Sequence, residues 1–192
     1  VIIPNNNLTE RKYIVNCILA EYLGIRYYLD NNNREDNQNQ YDMVLDNGNI
    51  LTIQDYFFCK FNHENEYLNS SNIPEKIAWA NNKFISSKFP IIYGENYIEI
   101  QDNEHKRIKC SIDIFASIYF MLSRWEEYAN KARDDHDRFP ASASLSYRFG
   151  FLDHPVVDEY VEFLWQMLLF LGYKEDRKQH VYSMNLTHDV DE

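Results

Sequence analysis

From Thr9 to Leu23 apolar side chains recur at helical spacing, at Ile14, Cys17, Ile18 and Tyr22. Thr9 is placed to cap the start, and Gly24 to end the helix in a left-handed conformation. The pattern predicts an amphipathic helix. "IRYYLD" (Ile25 to Asp30) then reads as a short β-rich run, and the polar stretch from Asn31 to Gln40 as a loop whose side chains cannot repay their ordering by burial. "YDMVLDNGNILTI" alternates in the manner of a hairpin, with Asn47-Gly48 suited to the positive backbone angles of a tight two-residue turn. "DYFFCKF" (Asp55 to Phe61) can add a further strand. Pro90 to Cys110 is a second β region, punctuated by turn clusters at Gly94-Glu95-Asn96 and Asp102-Asn103-Glu104.

The period changes at Ser111. Ile112, Phe115, Ala116, Tyr119 and Leu122 form a helical stripe, so one helix is expected from Ser111 to Asn130, with Ser111 or Asp113 supplying the cap. Lys131 to Tyr147 is polar and long, and is expected to be an ordered loop. Pro155 opens a last helix where its missing donor costs nothing, Asp158 and Glu159 lie in the positive first turn, and Gly172 closes it. Between them the helix becomes apolar on nearly every side, as expected of an element buried on more than one face. "YKEDRKQ" reads as a charged linker and "HVYSMNLT" (His180 to Thr187) as a short strand of the buried kind. The fold class expected is α/β, with sheet elements covered by at least three helices and a domain boundary near Lys178 that divides residues 1–178 from 179–192.

Composition narrows the function classes. The chain has 192 residues, 45% of them apolar, enough for a real core. A formal net charge of -11 disfavours nucleic acid and anionic lipid, both of which need clustered Lys and Arg. Cys17, Cys59 and Cys110 match neither a metal knuckle nor a disulfide framework and read as reduced core thiols. The start has no basic segment before an apolar run, so a cytoplasmic chain is expected. The longest apolar run, Phe163 to Leu171, is far short of the roughly 20 residues that span a bilayer.

Chemistry concentrates at the end of the chain. In Asp189-Val190-Asp191 the two-residue spacing puts both carboxylates on one side of an extended backbone, with Val190 facing the other way. One such acid can ligate a divalent metal, and the other can act as general base toward water on that metal. The plain alternative is a pair of solvated acids at a strand end or at the cap of a following helix.

"LTHDVD" (Leu186 to Asp191) resembles the first motif of the polysaccharide deacetylase superfamily of carbohydrate esterases, which has variants with an Asp-Val-Asp core. The resemblance implies Asp189 as catalytic base, Asp191 as metal ligand and a divalent ion, zinc by preference, in the full-length protein. It also implies a distorted (β/α) barrel whose first strand ends at this motif, and a carbohydrate substrate that loses an N- or O-acetyl group. The pattern departs from the family in placing His188 where an aromatic is usual; His188 is expected to pack beside the ligands and not to be one. The family's His-x-x-x-His pair is absent, since none of His63, His105, His136, His154, His180 and His188 has a partner four residues away. "IDIFASIYFMLSRWEEY" (Ile112 to Tyr128) and "DRFPASASLSYRFGFLDHPVVDEYVEFLW" (Asp137 to Trp165) resemble the uncharacterised amino-terminal region that precedes such domains in bacterial proteins. On that basis the chain alone is expected to be inactive. The rival is an independent glycan- or protein-binding module whose terminal acids are incidental.

Three other features weigh less. Asp134, Asp135, His136 and Asp137 could hold a cation, but consecutive residues do not converge on one ion without a special loop, and a solvated charge run is the expectation. Glu126 and Glu127 lie about 100° apart round a helix and cannot act as opposed acids. Ion pairs are expected instead, Arg124 with Glu127 and Glu127 with Lys131. Fifteen tyrosines, twelve phenylalanines and three tryptophans leave room for a sugar-stacking face, although most of these rings are expected in the core.

Overall fold

A computed structural model of the chain describes residues 1–30, 39–179 and 181–187. At its centre is a four-stranded mixed sheet. Strand β1 (Gln40–Val44) pairs antiparallel with β2 (Ile50–Gln54), and β2 pairs parallel with β6 (Lys106–Ile112). β6 pairs antiparallel with β5 (Gly94–Asp102), and the short strands β3 (Ala78–Trp79) and β4 (Pro90–Ile91) form a separate ladder. Ile2 lies along the outer side of β1, bridging to Asp42 and also to Asp30.

The period-2 alternation of these strands decides which face is buried. Tyr41, Ile53, Cys110 and Ile98 stand opposite one another in register, as do Met43, Leu51, Ile108 and Ile100. Most of these side chains belong to the core, whereas Asp42, Thr52, Arg107 and Lys109 point the other way. The sheet is therefore covered by helices on one side. Helix α2 (Ile114–Ser123) packs there, its Phe115 ring 4.4 Å from Tyr41, flanked by α1 (Leu8–Asn16) and α5 (Val156–Phe170). Two short helices, α3 (Trp125–Ala129) and α4 (Leu145–Arg148), complete the mixed α/β architecture.

Several local expectations change. The helix expected over Thr9–Leu23 starts at Leu8, with Asn7 rather than Thr9 as its cap, and widens into a π-helical turn over Cys17–Tyr22. There the Leu23 N–H reaches the Ile18 carbonyl at 3.0 Å, before Gly24 ends the run at φ 73° as expected. "IRYYLD" forms no strand beyond the Asp30 bridge to Ile2, and residues 31–38 of the expected polar loop lie outside the described residues. The hairpin forms, but round a three-residue loop: the Gly48 N–H bonds the Leu45 carbonyl, the Leu45 N–H bonds the Asn49 carbonyl, and within the loop only Gly48 takes a positive φ. "DYFFCKF" is not a strand. The consecutive rings of Phe57 and Phe58 are both buried, which a half-buried strand cannot arrange, and the chain turns through a 3₁₀ segment at Phe58–Lys60 instead.

The single helix expected over Ser111–Asn130 is broken at Arg124, whose φ of 53° is left-handed. The break swings Trp125 into a cluster of rings, stacked on Phe57 at 5.7 Å with Phe120 edge-on at 5.3 Å. Arg124 pairs with Glu127 as expected, but Lys131 donates to the Tyr128 carbonyl at 2.6 Å, and the pair expected with Glu127 does not form. α5 follows the pattern closely. Pro155 precedes it, Val156, Tyr160, Val161, Phe163, Leu164, Trp165, Met167 and Leu168 are buried, and Gly172 closes it in the bonding pattern of a Schellman motif, with the Tyr173 N–H on the Leu168 carbonyl. Cys17 and Cys110 are buried thiols, as expected, while Cys59 is half-buried.

Candidate functional site

The strongest concentration of buried charge is a site the sequence reading missed. Arg11 on α1 is fully buried and lies on the inner stripe with Ile14, Val15 and Ile18. That spacing of i, i+3, i+4 and i+7 is the signal that could have revealed it. Its guanidinium donates to Asp55 Oδ2 at 2.6 Å, to Asn6 Oδ1 at 2.8 Å, to the Asn6 carbonyl at 2.7 Å and to the Tyr41 hydroxyl. Asp113, the residue before α2, caps that helix through the Ala116 N–H at 3.0 Å, and its other oxygen accepts from Tyr56 N–H at 2.8 Å and Phe57 N–H at 3.1 Å. Burial, then the neighbouring Asp55 carboxylate, push the Asp113 carboxyl up to about 7 against the Ala116 and Tyr56 donors and the charge of Arg11. Burial also lifts Tyr41 well above the usual phenol range.

This network ties α1, the β2 exit and the start of α2 together. Each charged oxygen and nitrogen named has a protein partner, and a centre so saturated holds elements in place without offering a free group to a substrate. Glu126, half of the acid pair read from sequence, is likewise structural. It is buried, its carboxylate accepts the Leu145 N–H at the start of α4 at 2.7 Å, and burial raises its pKa.

Two open grooves stand out among the described residues. The larger, about 530 Å³, lies between residues 83–89 and α5, with Phe84 and Phe89 on one wall and Asp158, Glu159 and Glu162 on the other. Glu159 is engaged by His154 Nδ1 at 3.0 Å, and Glu162 by Arg177 at 2.6 Å. The smaller, about 290 Å³, is bordered by Tyr56, Lys60, Asn72, Glu75 and Tyr93. Ser86 and Ser87 also line the larger groove, but among the described residues no hydrogen bond joins either hydroxyl to its carboxylates. The charge run at Arg133–Arg138 is closed on itself. Asp134 accepts from the backbone N–H groups of Arg138 and His136, which lower its pKa, and pairs with the Arg138 guanidinium at 3.1 Å. Among the described residues no group of three or more His, Cys, Asp and Glu side chains could hold a metal ion, and no helix is long and apolar enough to cross a membrane.

The residues proposed from sequence for catalysis, Asp189 as base and Asp191 as metal ligand, lie with His188 outside the described residues. The segment leading to them is described and differs from expectation. Residues 181–187 form no strand, and Val181, Tyr182, Met184 and Leu186 are exposed by 86, 81, 66 and 84% rather than buried. No sheet of the described residues pairs with them.

A family model matches residues 1–172, from the first residue of the chain to the glycine that closes α5, and its description is a family of unknown function, DUF7033. The chain belongs to this family. The DUF7033 match covers the whole sheet, all five helices and the Arg11 centre, and stops short of the exposed segment at 181–187. No curated protein and no solved structure matches the chain.

Proposed function

We propose that residues 1–178 are the accessory amino-terminal domain of a metal-dependent carbohydrate deacetylase, and that residues 179–192 open the catalytic domain. In this reading Asp189 is the base and Asp191 a ligand of a divalent ion completed by residues of the longer protein, and the substrate is a carbohydrate bearing N- or O-acetyl groups. The observation that carries it is the exit of the chain. Four large apolar side chains stand exposed within residues 181–187, directly before Thr187-His188-Asp189-Val190-Asp191, and nothing in the described residues covers them. A segment of that composition calls for a partner sheet, which the first strand of a barrel would have. The Arg11 centre, whose charged groups are all partnered within the protein, suits a domain that supports chemistry done elsewhere.

The decisive experiment uses the gene beyond Glu192 and the protein it encodes. About 200 further residues with a His-x-x-x-His pair are expected, on the usual size of a barrel. Asp189→Asn in that protein is expected to lower metal-dependent deacetylation by roughly 10²–10⁴-fold with the fold intact. A stop codon directly after Glu192, or full activity of the Asp189→Asn protein, would sink the proposal and return the chain to the class of binding modules.

A further inference from the structure

The stretch that reads as a charged linker does not leave the domain. Beyond α5 the Leu171 carbonyl is held by two amides from the hairpin loop, Asn47 Nδ2 at 2.9 Å and Asn49 Nδ2 at 2.7 Å. Tyr173 packs edge-on against Trp165 at 5.7 Å, and Arg177 reaches back to Glu162 at 2.6 Å. Lys178 then docks on the end of the first helical segment, its N–H on the Leu23 carbonyl at 2.9 Å and its ammonium on the Glu21 carbonyl at 3.0 Å. Gly24 permits that contact. A Cβ at this position would stand 2.8 Å from Lys178 Cβ and 3.4 Å from its backbone nitrogen, so Gly24 both ends the first helix and admits the returning chain.

We propose that residues 173–179 are a fixed strap that sets the point and direction at which the chain continues past Gln179. A free linker of this length would wander over roughly 15 Å between its ends. A strap anchored at Leu171, Glu162, Leu23 and Glu21 removes that freedom. On the reading given above, which this consequence alone rests on, the strap sets how the first barrel strand and the acids at its end stand against residues 1–172. Arg177, Lys178 and Gly24 are then positioning residues for the enzyme.

The test needs only the present chain. Nitroxide labels at Tyr147→Cys and Gln179→Cys, in a Cys59→Ser background that leaves only the buried Cys17 and Cys110, report the distance between α4 and the end of the strap by pulsed electron resonance. One narrow distance distribution is expected. Gly24→Asn should broaden it at least twofold, because Asn tolerates the positive φ but its Cβ displaces Lys178, and Arg177→Ala should broaden it less. Amide exchange in α5 is followed alongside and should be unchanged, so that loss of the strap is separated from loss of the fold. Equally broad distributions in the labelled parent and in Gly24→Asn, with α5 still protected, would overturn the strap. Loss of the deacetylase reading through Asp189→Asn would leave these distances untouched, so the two proposals fail separately.

Discussion

Asp113 is pulled in opposite directions by its surroundings. It accepts three N–H groups, yet it sits fully buried near the Asp55 carboxylate, and the Arg11 guanidinium bonds to Asp55 at 2.6 Å and not to Asp113. Its folded-state pKa of about 7 lies above the usual 3.8, so the folded chain binds the proton more tightly than the unfolded one. The stability this contributes is full below about pH 4 and is lost as pH rises through about 7. Urea midpoints are expected to fall across that window for the natural chain, and the fall should be absent in Asp113→Asn. The same slope in both proteins would refute the assignment. The capping role of Asp113 was legible in the sequence, because an acid stood where the helical period began. Its electrostatic coupling to Asp55 and Arg11 was not, since those residues lie 58 and 102 positions away and leave no local pattern.

At the scale of elements, what could be read was whatever local sequence decides. The hairpin announced itself through Asn47-Gly48, and α5 through Pro155, its first-turn acids and Gly172. What could not be read was set by packing from afar. Arg124 breaks a helical stripe that looked continuous because the ring cluster around Phe57 claims Trp125, and Phe57-Phe58 turn away from strand geometry for the same cluster. The segment at 181–187 has strand composition but lacks a partner among the described residues, and composition cannot supply one. The start of β5, packed on the end of β6, gives a sharp test. Gly94 opens β5 at φ 98° beside an irregularity in the ladder, and a Cβ there would lie 2.3 Å from the Ser111 carbonyl oxygen and 2.7 Å from the Asp113 nitrogen. Both neighbours are backbone and cannot swing aside. Gly94→Ala is expected to cost on the order of 3 kcal/mol, seen as a lower urea midpoint with an unchanged slope.

At the scale of the molecule, the packing among the described residues ends before the exposed segment at 181–187 begins. A chain ending at Gln179 is expected to melt within about 2 °C of the 192-residue protein, because residues 181–187 bury almost nothing. One ending at Gly172 loses the Lys178–Leu23 hydrogen bond, the Arg177–Glu162 pair, the Trp165–Tyr173 contact and the last bond of the helix closure. These add to about 2 kcal/mol, or a melting temperature lower by roughly 4–8 °C. Calorimetry of the two truncations distinguishes them. The parallel pairing of β2 with β6 has a consequence of another kind. It joins Ile50–Ile53 to Arg107–Cys110 across the whole of β3, β4 and β5, so the middle of the sheet has no local route to closure. The hairpin can zip early, but the sheet must wait until more than fifty residues have been drawn into a loop, and the time the chain spends with β2 unmatched on one side is the period in which it is most open to pairing with a neighbour.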